Sequence, residues 1–183
     1  LIEHNLEKTT TLKCVKAGDV VKFKHFKAEF IRMTHSIADS VGIALTTPYG
    51  IIFHTGDFKV DYTPLDGEPM DFMRVAELGR QGILMVLADS TNALRPGYTM
   101  SEITVGKEFD KIFTNCTKRI IVATFASNIH RMQQIINSAV KCNRKVTVVG
   151  RSMLNVLQVS QELGYITMPE GTLIDVDKIG MYN

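Results

Sequence analysis

The sequence has 183 residues, of which 45% are hydrophobic, as is typical of one folded domain or of parts of two. Lys and Arg number 21 and Asp and Glu 19, so a broadly basic surface is excluded and any nucleic-acid site must be local. No apolar run approaches the ~20 residues that span a bilayer, and the first residues given lack a basic-then-apolar signal pattern. The 3 scattered cysteines indicate reduced thiols, so we expect a cytoplasmic protein without a membrane partner.

The sequence opens on a segment that is typical of a linker. Its first residue is Leu1 rather than Met, and residues 3–7 read Glu-His-Asn-Leu-Glu. We therefore expect an internal fragment of a larger protein.

The first half of the sequence predicts a β-meander. Short alternating or β-branched apolar runs indicate strands, and Ala-Gly-Asp at 17–19 and Pro-Tyr-Gly at 48–50 indicate tight turns. A short helix is expected at 71–79, and the continuous apolar run at 83–88 predicts a strand buried on both faces that ends at Asp89. The strands of the meander are expected at 12–15, 20–23, 28–33, 41–47 and 51–54, the last two as a hairpin.

The second half predicts alternating helices and strands, with the change of pattern near Pro96-Gly97. Such βαβ units favour a parallel sheet, and ligands usually bind at the carboxyl ends of its strands. Helices are expected at 101–116, 128–141 and 152–163, and strands at 119–124 and 145–149.

His35 and Asp57 each follow an apolar strand, so both project from strand ends where a metal site can form. One His and one Asp do not make a metal site. The alternative is a loop histidine bonded to the backbone and an Asp that belongs to a turn after Gly56. The residues alone favour that structural interpretation.

Asp89 follows the apolar strand and precedes Ser-Thr-Asn, a run of small polar residues. It can cap a helix, or its carboxylate can orient or share a proton with a distant histidine in acid catalysis. Without further context, the cap is favoured.

Ser127, Asn128, His130 and Arg131 crowd one strand-to-helix junction. Free backbone N–H groups and the helix dipole favour an anion there, and phosphate is the natural candidate. The alternative is that Ser127 or Asn128 caps the helix while His130 and Arg131 lie on a solvated first turn. Both interpretations stay open, because Arg and His are unusual in a first turn.

Four blocks, taken in order, resemble consecutive segments of the ribonuclease J family. They are Thr-His-Ser-Ile at 34–37, Thr-Gly-Asp-Phe-Lys at 55–59, Ala-Asp-Ser-Thr-Asn at 88–92 and Phe-Ala-Ser-Asn-Ile-His-Arg at 125–131. The resemblance runs from about residue 13 to the C-terminus. It implies an α/β fold, in which residues 1–93 form part of a metallo-β-lactamase αββα sandwich and residues 94–183 form most of a βαβ-type β-CASP domain.

The resemblance also implies roles for individual residues. His35 matches a terminal zinc ligand, and Asp57 matches the carboxylate that bridges two zinc ions and serves catalysis. Asp89 matches the second catalytic acid, which works beside a histidine to protonate the leaving oxygen. Ser127, Asn128 and His130 fall in a stretch that holds an RNA phosphate.

The same resemblance implies a zinc-dependent ribonuclease that cuts single-stranded RNA internally and from the 5′ end, in mRNA decay and rRNA processing, as a homo-oligomer. The family's His-x-His-x-Asp-His cluster and its later histidines do not occur in these 183 residues. We therefore expect this fragment alone to have an incomplete metal site and to be inactive. The alternatives are a non-catalytic RNA-binding module and another metallo-β-lactamase-fold hydrolase that acts on a small ester or thioester. A nucleotide-binding domain ranks last, because no GxGxxG or GxxxxGK[ST] loop occurs.

Overall fold

The computed structural model describes Leu6 and residues 8–182, so most of the expected linker at 3–7 lies outside the described residues. The first half contains five strands: β1 (Val20–Lys22), β2 (Lys27–Arg32), β3 (Val41–Thr47), β4 (Gly50–His54) and β5 (Ile83–Leu87). They form one sheet in the order β1-β2-β3-β4-β5. β1 to β4 pair antiparallel in sequence order, and β5 pairs parallel to β4. The predicted hairpin and the last four strands of the predicted meander are confirmed.

A crossover helix connects β4 to β5. Two parallel neighbours cannot be joined by a tight turn, and the connection here contains α1 (Phe72–Gln81). The Asp71 carboxylate caps this helix by accepting the Arg74 N–H at 2.9 Å. One face of the sheet packs on α1 through a hydrophobic cluster of Ile31, Met33, Ala44, Phe53, Met70 and Leu78.

An ion pair attaches α1 to β2. Arg74 donates from Nε to Glu29 Oε1 at 2.6 Å and from Nη2 to Glu29 Oε2 at 2.9 Å. The Glu29 side chain is 14% exposed and the Arg74 side chain 26% exposed. The hydrogen bonds from Arg74 lower the pKa of Glu29, although burial opposes the shift.

The second half consists of α2 (Glu102–Asn115), α3 (Ile129–Lys141), α4 (Arg151–Glu162) and a 3-10 helix (Val176–Met181). α2 packs on α3 through Asp110, which accepts a hydrogen bond from Ser138 at 2.6 Å and one from Lys141 at 2.7 Å. A second hydrophobic cluster joins α3 to α4. Its buried members are Ile129, Met132, Ile136, Leu157 and Ile166. No helix among residues 8–182 is long and apolar enough to cross a bilayer.

Several predicted strands are wrong for the residues that the structure describes. Residues 12–15, 119–124 and 145–149 form no strand, and the second half contains one isolated parallel bridge, Val146 to Leu173. β5 is not buried on both faces, because Leu84 is 61% exposed and Val86 53% exposed. An extended segment forms a ladder only beside a partner strand, and an apolar strand becomes buried only when a neighbouring layer packs against it.

Replacing Glu29 with Gln should lower the free energy of unfolding at pH 7 by about 1–2 kcal/mol, because Arg74 loses the less exposed of its two carboxylate partners, Glu29 and Glu77. The pKa of Glu29 is lowered in the folded state, so its contribution is present above the usual carboxyl pKa of about 4.3 and is lost as pH falls through the folded value. Urea unfolding at pH 7 and at pH 3 should therefore show a smaller difference between variant and wild type at the lower pH.

The matched control is Glu108→Gln, which removes an exposed pair with Lys111 and should change stability by less than about 0.5 kcal/mol. Equal effects of the two substitutions would contradict a structural role for the Glu29–Arg74 pair.

Candidate active site

Three loops converge at one edge of the sheet. β2 and β4 both run antiparallel to β3, and β5 runs parallel to β4. β2, β4 and β5 therefore point the same way, and their C-terminal ends lie together. His35 follows β2, Asp57 follows β4 and Asp89 follows β5.

A cavity of about 1070 Å³ opens at this edge of the sheet. His35, Asp57, Asp89 and His130 all line it, so the first turn of α3 meets the three loops. Ser127 and Asn128, the other two site residues predicted from the sequence, do not line this cavity. Four residues that are distant in the sequence thus share one space.

Two buried threonines fix the three loops relative to one another; each is 6% exposed. The Thr34 hydroxyl donates to the Lys59 carbonyl, and the Lys59 N–H donates back to the Thr34 carbonyl at 2.8 Å. Thr55 accepts the Asp89 N–H on Oγ1 at 3.0 Å, and its own N–H donates to the Leu87 carbonyl at 3.0 Å. Thr34 therefore joins the first loop to the second, and Thr55 joins the second to the third.

Gly56 is required immediately before Asp57. Its φ of +63° lies in the left-handed region that side chains disfavour. A Cβ at this position would lie 2.9 Å from the Val41 carbonyl oxygen, closer than van der Waals contact allows. The glycine thus lets the chain turn sharply against β3 and present Asp57 to the cavity.

His35 and Asp57 form a donor pair that suits a cation. His35 Nε2 lies 3.9 Å from Asp57 Oδ2, too far for a hydrogen bond and close enough for both atoms to bind one ion. The Asp57 side chain is 81% exposed, which leaves its carboxylate open to the cavity. Within the described part of the chain, no group of three or more His, Cys, Asp or Glu side chains could hold a metal ion.

The charge of the cavity wall supports the same interpretation. The carboxylates are Asp57, Asp61, Asp89 and Glu102, and Lys59 is the one lysine or arginine among the lining residues. Lys59 Nζ lies 3.9 Å from Glu102 Oε2, so its charge is partly neutralised. A phosphate entering this cavity would be repelled unless cations were added. Imidazole nitrogen and carboxylate oxygen are donors that zinc accepts.

Asp89 does not cap a helix; its carboxylate is held by the residues around it. Oδ1 accepts the Thr91 hydroxyl at 2.6 Å and the Thr91 N–H at 3.0 Å, and Oδ2 faces the Phe58 N–H at 3.4 Å. The Thr91 side chain is the main cause that lowers the pKa of Asp89, with smaller contributions from the Thr91 and Phe58 N–H groups and from His35. Asp89 is therefore an acceptor at neutral pH, suited to orient a histidine rather than to carry the proton itself.

An ion-pair network joins α3 to the loop that carries Asp57. Glu102 Oε1 accepts Arg131 Nε at 2.8 Å and Nη2 at 2.7 Å, and the Glu102 side chain is 15% exposed. The Glu102 N–H donates to Asp61 Oδ2 at 3.1 Å. Burial raises the pKa of Asp61, but the hydrogen bonds from Thr63, Ser101 and Glu102 outweigh it and keep the carboxyl ionised. This network explains why an arginine occupies the first turn of α3.

At the start of α3, Asn128 caps the helix and His130 lines the cavity. Asn128 is 8% exposed, and its Oδ1 accepts the Arg131 N–H at 3.0 Å, as a cap does. Ser127 is exposed, and His130 lines the cavity. Phosphate binding by Ser127, Asn128 and His130 stays a prediction.

Sequence reasoning missed the roles of Thr34, Thr55, Asp61 and Glu102. A threonine one or two positions before a candidate ligand, as in Thr34-His35 and Thr55-Gly56-Asp57, was the available signal for the first two. Asp61 and Glu102 carry no such signal, because their partners lie 41 and 29 positions away in the sequence.

Comparisons with known proteins identify relatives of this chain. A family model described as "Ribonuclease J, beta-CASP domain" matches residues 117–183. Ribonuclease J of Synechocystis sp. is 47% identical over 175 residues, which are 95% of this chain and 27% of that protein. Ribonuclease J of Helicobacter pylori strain J99 is 42% identical over 181 residues, and that of Thermus thermophilus 47% identical over 160. The chain spans only 26% to 28% of the length of these relatives.

A solved structure shows the same fold at low sequence identity. The crystal structure of a protein of unknown function from Enterococcus faecalis V583 matches with a TM-score of 0.60 and 14% identity. The match covers 94% of this chain and 43% of that one. At this identity, the likeness concerns the fold alone.

Replacing Thr55 with Val should remove the acceptor of the Asp89 N–H while keeping the side-chain shape. The free energy of unfolding should fall by about 1–3 kcal/mol, because a half-buried N–H group loses its partner. Urea unfolding measures the loss, and amide hydrogen exchange at Asp89 should become faster. Thr9→Val is the control, since the Thr9 hydroxyl makes an exposed hydrogen bond to Leu6. Unchanged exchange at Asp89 would contradict the proposed tie between the loops.

Proposed function

Because the chain belongs to the ribonuclease J family, we propose that the full protein is a ribonuclease that hydrolyses phosphodiester bonds of single-stranded RNA. The observation that carries the proposal is the convergence of His35, Asp57, Asp89 and His130 on one cavity. We also propose that it cuts RNA internally and from the 5′ end, in mRNA decay and rRNA processing in the cytoplasm, as a homo-oligomer.

The proposed domain division places residues 1–93 in a metallo-β-lactamase αββα sandwich and residues 94–183 in a βαβ-type β-CASP domain. Two separate hydrophobic clusters support this division, the first within residues 31–83 and the second within residues 129–168. The exposed apolar side chains of β5 support a further layer of the sandwich against it, because Leu84 and Met85 are 61% and 51% exposed.

The proposed cofactor is a pair of zinc ions. His35 and Asp57 would hold the ions through imidazole nitrogen and carboxylate oxygen, with the remaining ligands coming from other parts of the full protein. Bound zinc activates water at neutral pH and stabilises negative charge on a phosphate. The excess of carboxylates over free cations in the cavity wall supports this assignment.

The residues of this chain have distinct proposed tasks. The Asp57 carboxylate places a negative charge at the cavity edge. Gly56 and Thr55 fix the backbone before Asp57 and so set where this carboxylate lies. Asp89 accepts a hydrogen bond from a histidine outside this sequence and so orients that histidine to protonate the leaving oxygen.

The first turn of α3 is proposed to hold an RNA phosphate. The positive end of its helix dipole attracts an anion. The Ser127 hydroxyl and His130 ring add donors beside the cavity, and Asn128, whose Oδ1 caps the helix, can still donate from Nδ2. Arg131 is excluded from this task, because Glu102 neutralises its guanidinium.

Asp57→Ala in the full protein should reduce the rate of RNA cleavage by about 10²–10³-fold or more, because the cavity loses the carboxylate that is proposed to hold the zinc ions. The fold should persist, since this side chain is 81% exposed. A labelled single-stranded RNA measures cleavage, and thermal unfolding checks the fold.

The matched control is Asp175→Ala, which removes an exposed carboxylate paired with Lys178 far along the sequence and should leave cleavage unchanged. Full activity of Asp57→Ala would refute the assignment. RNA binding without cleavage by the wild-type protein would instead support a non-catalytic RNA-binding module.

A further inference from the structure

We propose that Tyr62 and Tyr98 form a stacking subsite for an unpaired nucleobase beside the candidate active site. Both tyrosines line the cavity that holds His35, Asp57 and Asp89. Tyr62 is 76% exposed and Tyr98 is 88% exposed. This inference rests on the proposed function, since it specifies how the same cavity contacts RNA.

The Tyr62 ring is held in place by an aromatic neighbour. Its centroid lies 5.4 Å from that of Phe72, with 23° between the ring planes. Phe72 is the first residue of α1, so the stack is anchored to a regular element. A stack covers one face of a ring and leaves the other available. Because the ring is already oriented, binding a base on the open face costs little conformational entropy.

Tyr98 lies on a segment that is bonded to the segment of Tyr62. The Ser101 hydroxyl donates to the Thr63 carbonyl at 2.9 Å, and the two side-chain oxygens lie 3.1 Å apart. Thr63 is the neighbour of Tyr62, and Ser101 follows Tyr98 by three positions. The two rings therefore belong to one connected stretch of cavity wall.

The chemistry of the wall favours a base over other parts of RNA at these tyrosines. An exposed tyrosine offers a flat apolar face with a polar tip, and every nucleobase has a matching face. The carboxylates of the same cavity repel a phosphate that lacks a cation, whereas a neutral base meets no such repulsion. With the proposed zinc ions held at His35 and Asp57, the phosphate would lie at that pair and the adjoining base on a tyrosine.

The sequence supplies a matched control for exposed tyrosine. Tyr49 is 90% exposed in the turn between β3 and β4, and it does not line the cavity. Removing its ring changes as much exposed aromatic surface as removing that of Tyr98. A difference in RNA affinity between Tyr49→Ala and Tyr98→Ala therefore reflects where the ring lies and not the mere loss of an exposed aromatic ring.

The test uses the full protein with a single-stranded RNA oligonucleotide that carries 2-aminopurine. Binding is measured by fluorescence in the Asp57→Ala background, so that cleavage does not interfere, and KM and kcat are measured with Asp57 intact. Tyr62→Ala and Tyr98→Ala should each weaken binding by about 5- to 150-fold and raise KM more than they lower kcat. Tyr62→Phe and Tyr98→Phe should keep most of the affinity and of the fluorescence quenching, and Tyr49→Ala should match the wild type.

Each other outcome has a definite meaning. If Tyr62→Ala and Tyr98→Ala bind RNA as Tyr49→Ala does, the subsite is refuted while the ribonuclease proposal stands. If Tyr98→Phe loses as much affinity as Tyr98→Ala, the hydroxyl is the contact and stacking is refuted. If the wild-type protein neither binds nor cleaves RNA, the proposed function fails and the subsite with it. If Tyr62→Ala unfolds because its stack with Phe72 is lost, Tyr98→Ala still tests the subsite.

Discussion

The common direction of β2, β4 and β5 is the constraint on which the candidate site depends. Because these strands point the same way, their loops meet at one edge, although residues 35, 57 and 89 are far apart in the sequence. The crossover through α1 makes this possible, since it returns the chain to the start of a strand parallel to β4. Thr34 and Thr55 then hold the loops by hydrogen bonds that are shielded from water. Loops without such ties would not keep polar groups at fixed distances.

A second constraint is the attachment of α3 to this edge. Glu102 links Arg131 on one side and Asp61, through its backbone N–H, on the other. The network places His130 at the cavity while Arg131 is turned to an internal partner. Neighbouring residues of one helical turn thus have different tasks, one facing the cavity and the other fixing the helix. Because the Glu102–Arg131 pair is largely shielded from water, loss of either partner lowers the stability of the fold.

The strands and helices with local signals were predictable from the sequence. The alternation of apolar residues predicted β3 and β4. The capping residues Asp71, Ser101 and Asn128 indicated the starts of α1, α2 and α3. The segment at 119–124 was misread because its β-branched apolar residues suit a strand but a ladder needs a partner strand, and Ile121 is 91% exposed. β5 was expected to be buried because its composition suits a central strand. The contact between the Phe58 N–H and Asp89 and the Glu102–Arg131 pair join residues far apart in the sequence, so only the folded chain reveals them.

We propose that His35 and Asp57 belong to a zinc-binding active site that the rest of the full protein completes. Zinc content, measured by elemental analysis after exhaustive dialysis, tests it most directly. The wild-type full protein should hold about two zinc ions per chain, and His35→Ala should lose zinc while keeping its thermal unfolding transition. A control at His25, which does not line the cavity, should keep the metal. A wild-type protein without zinc, or a His35→Ala variant with undiminished zinc content, would contradict the account.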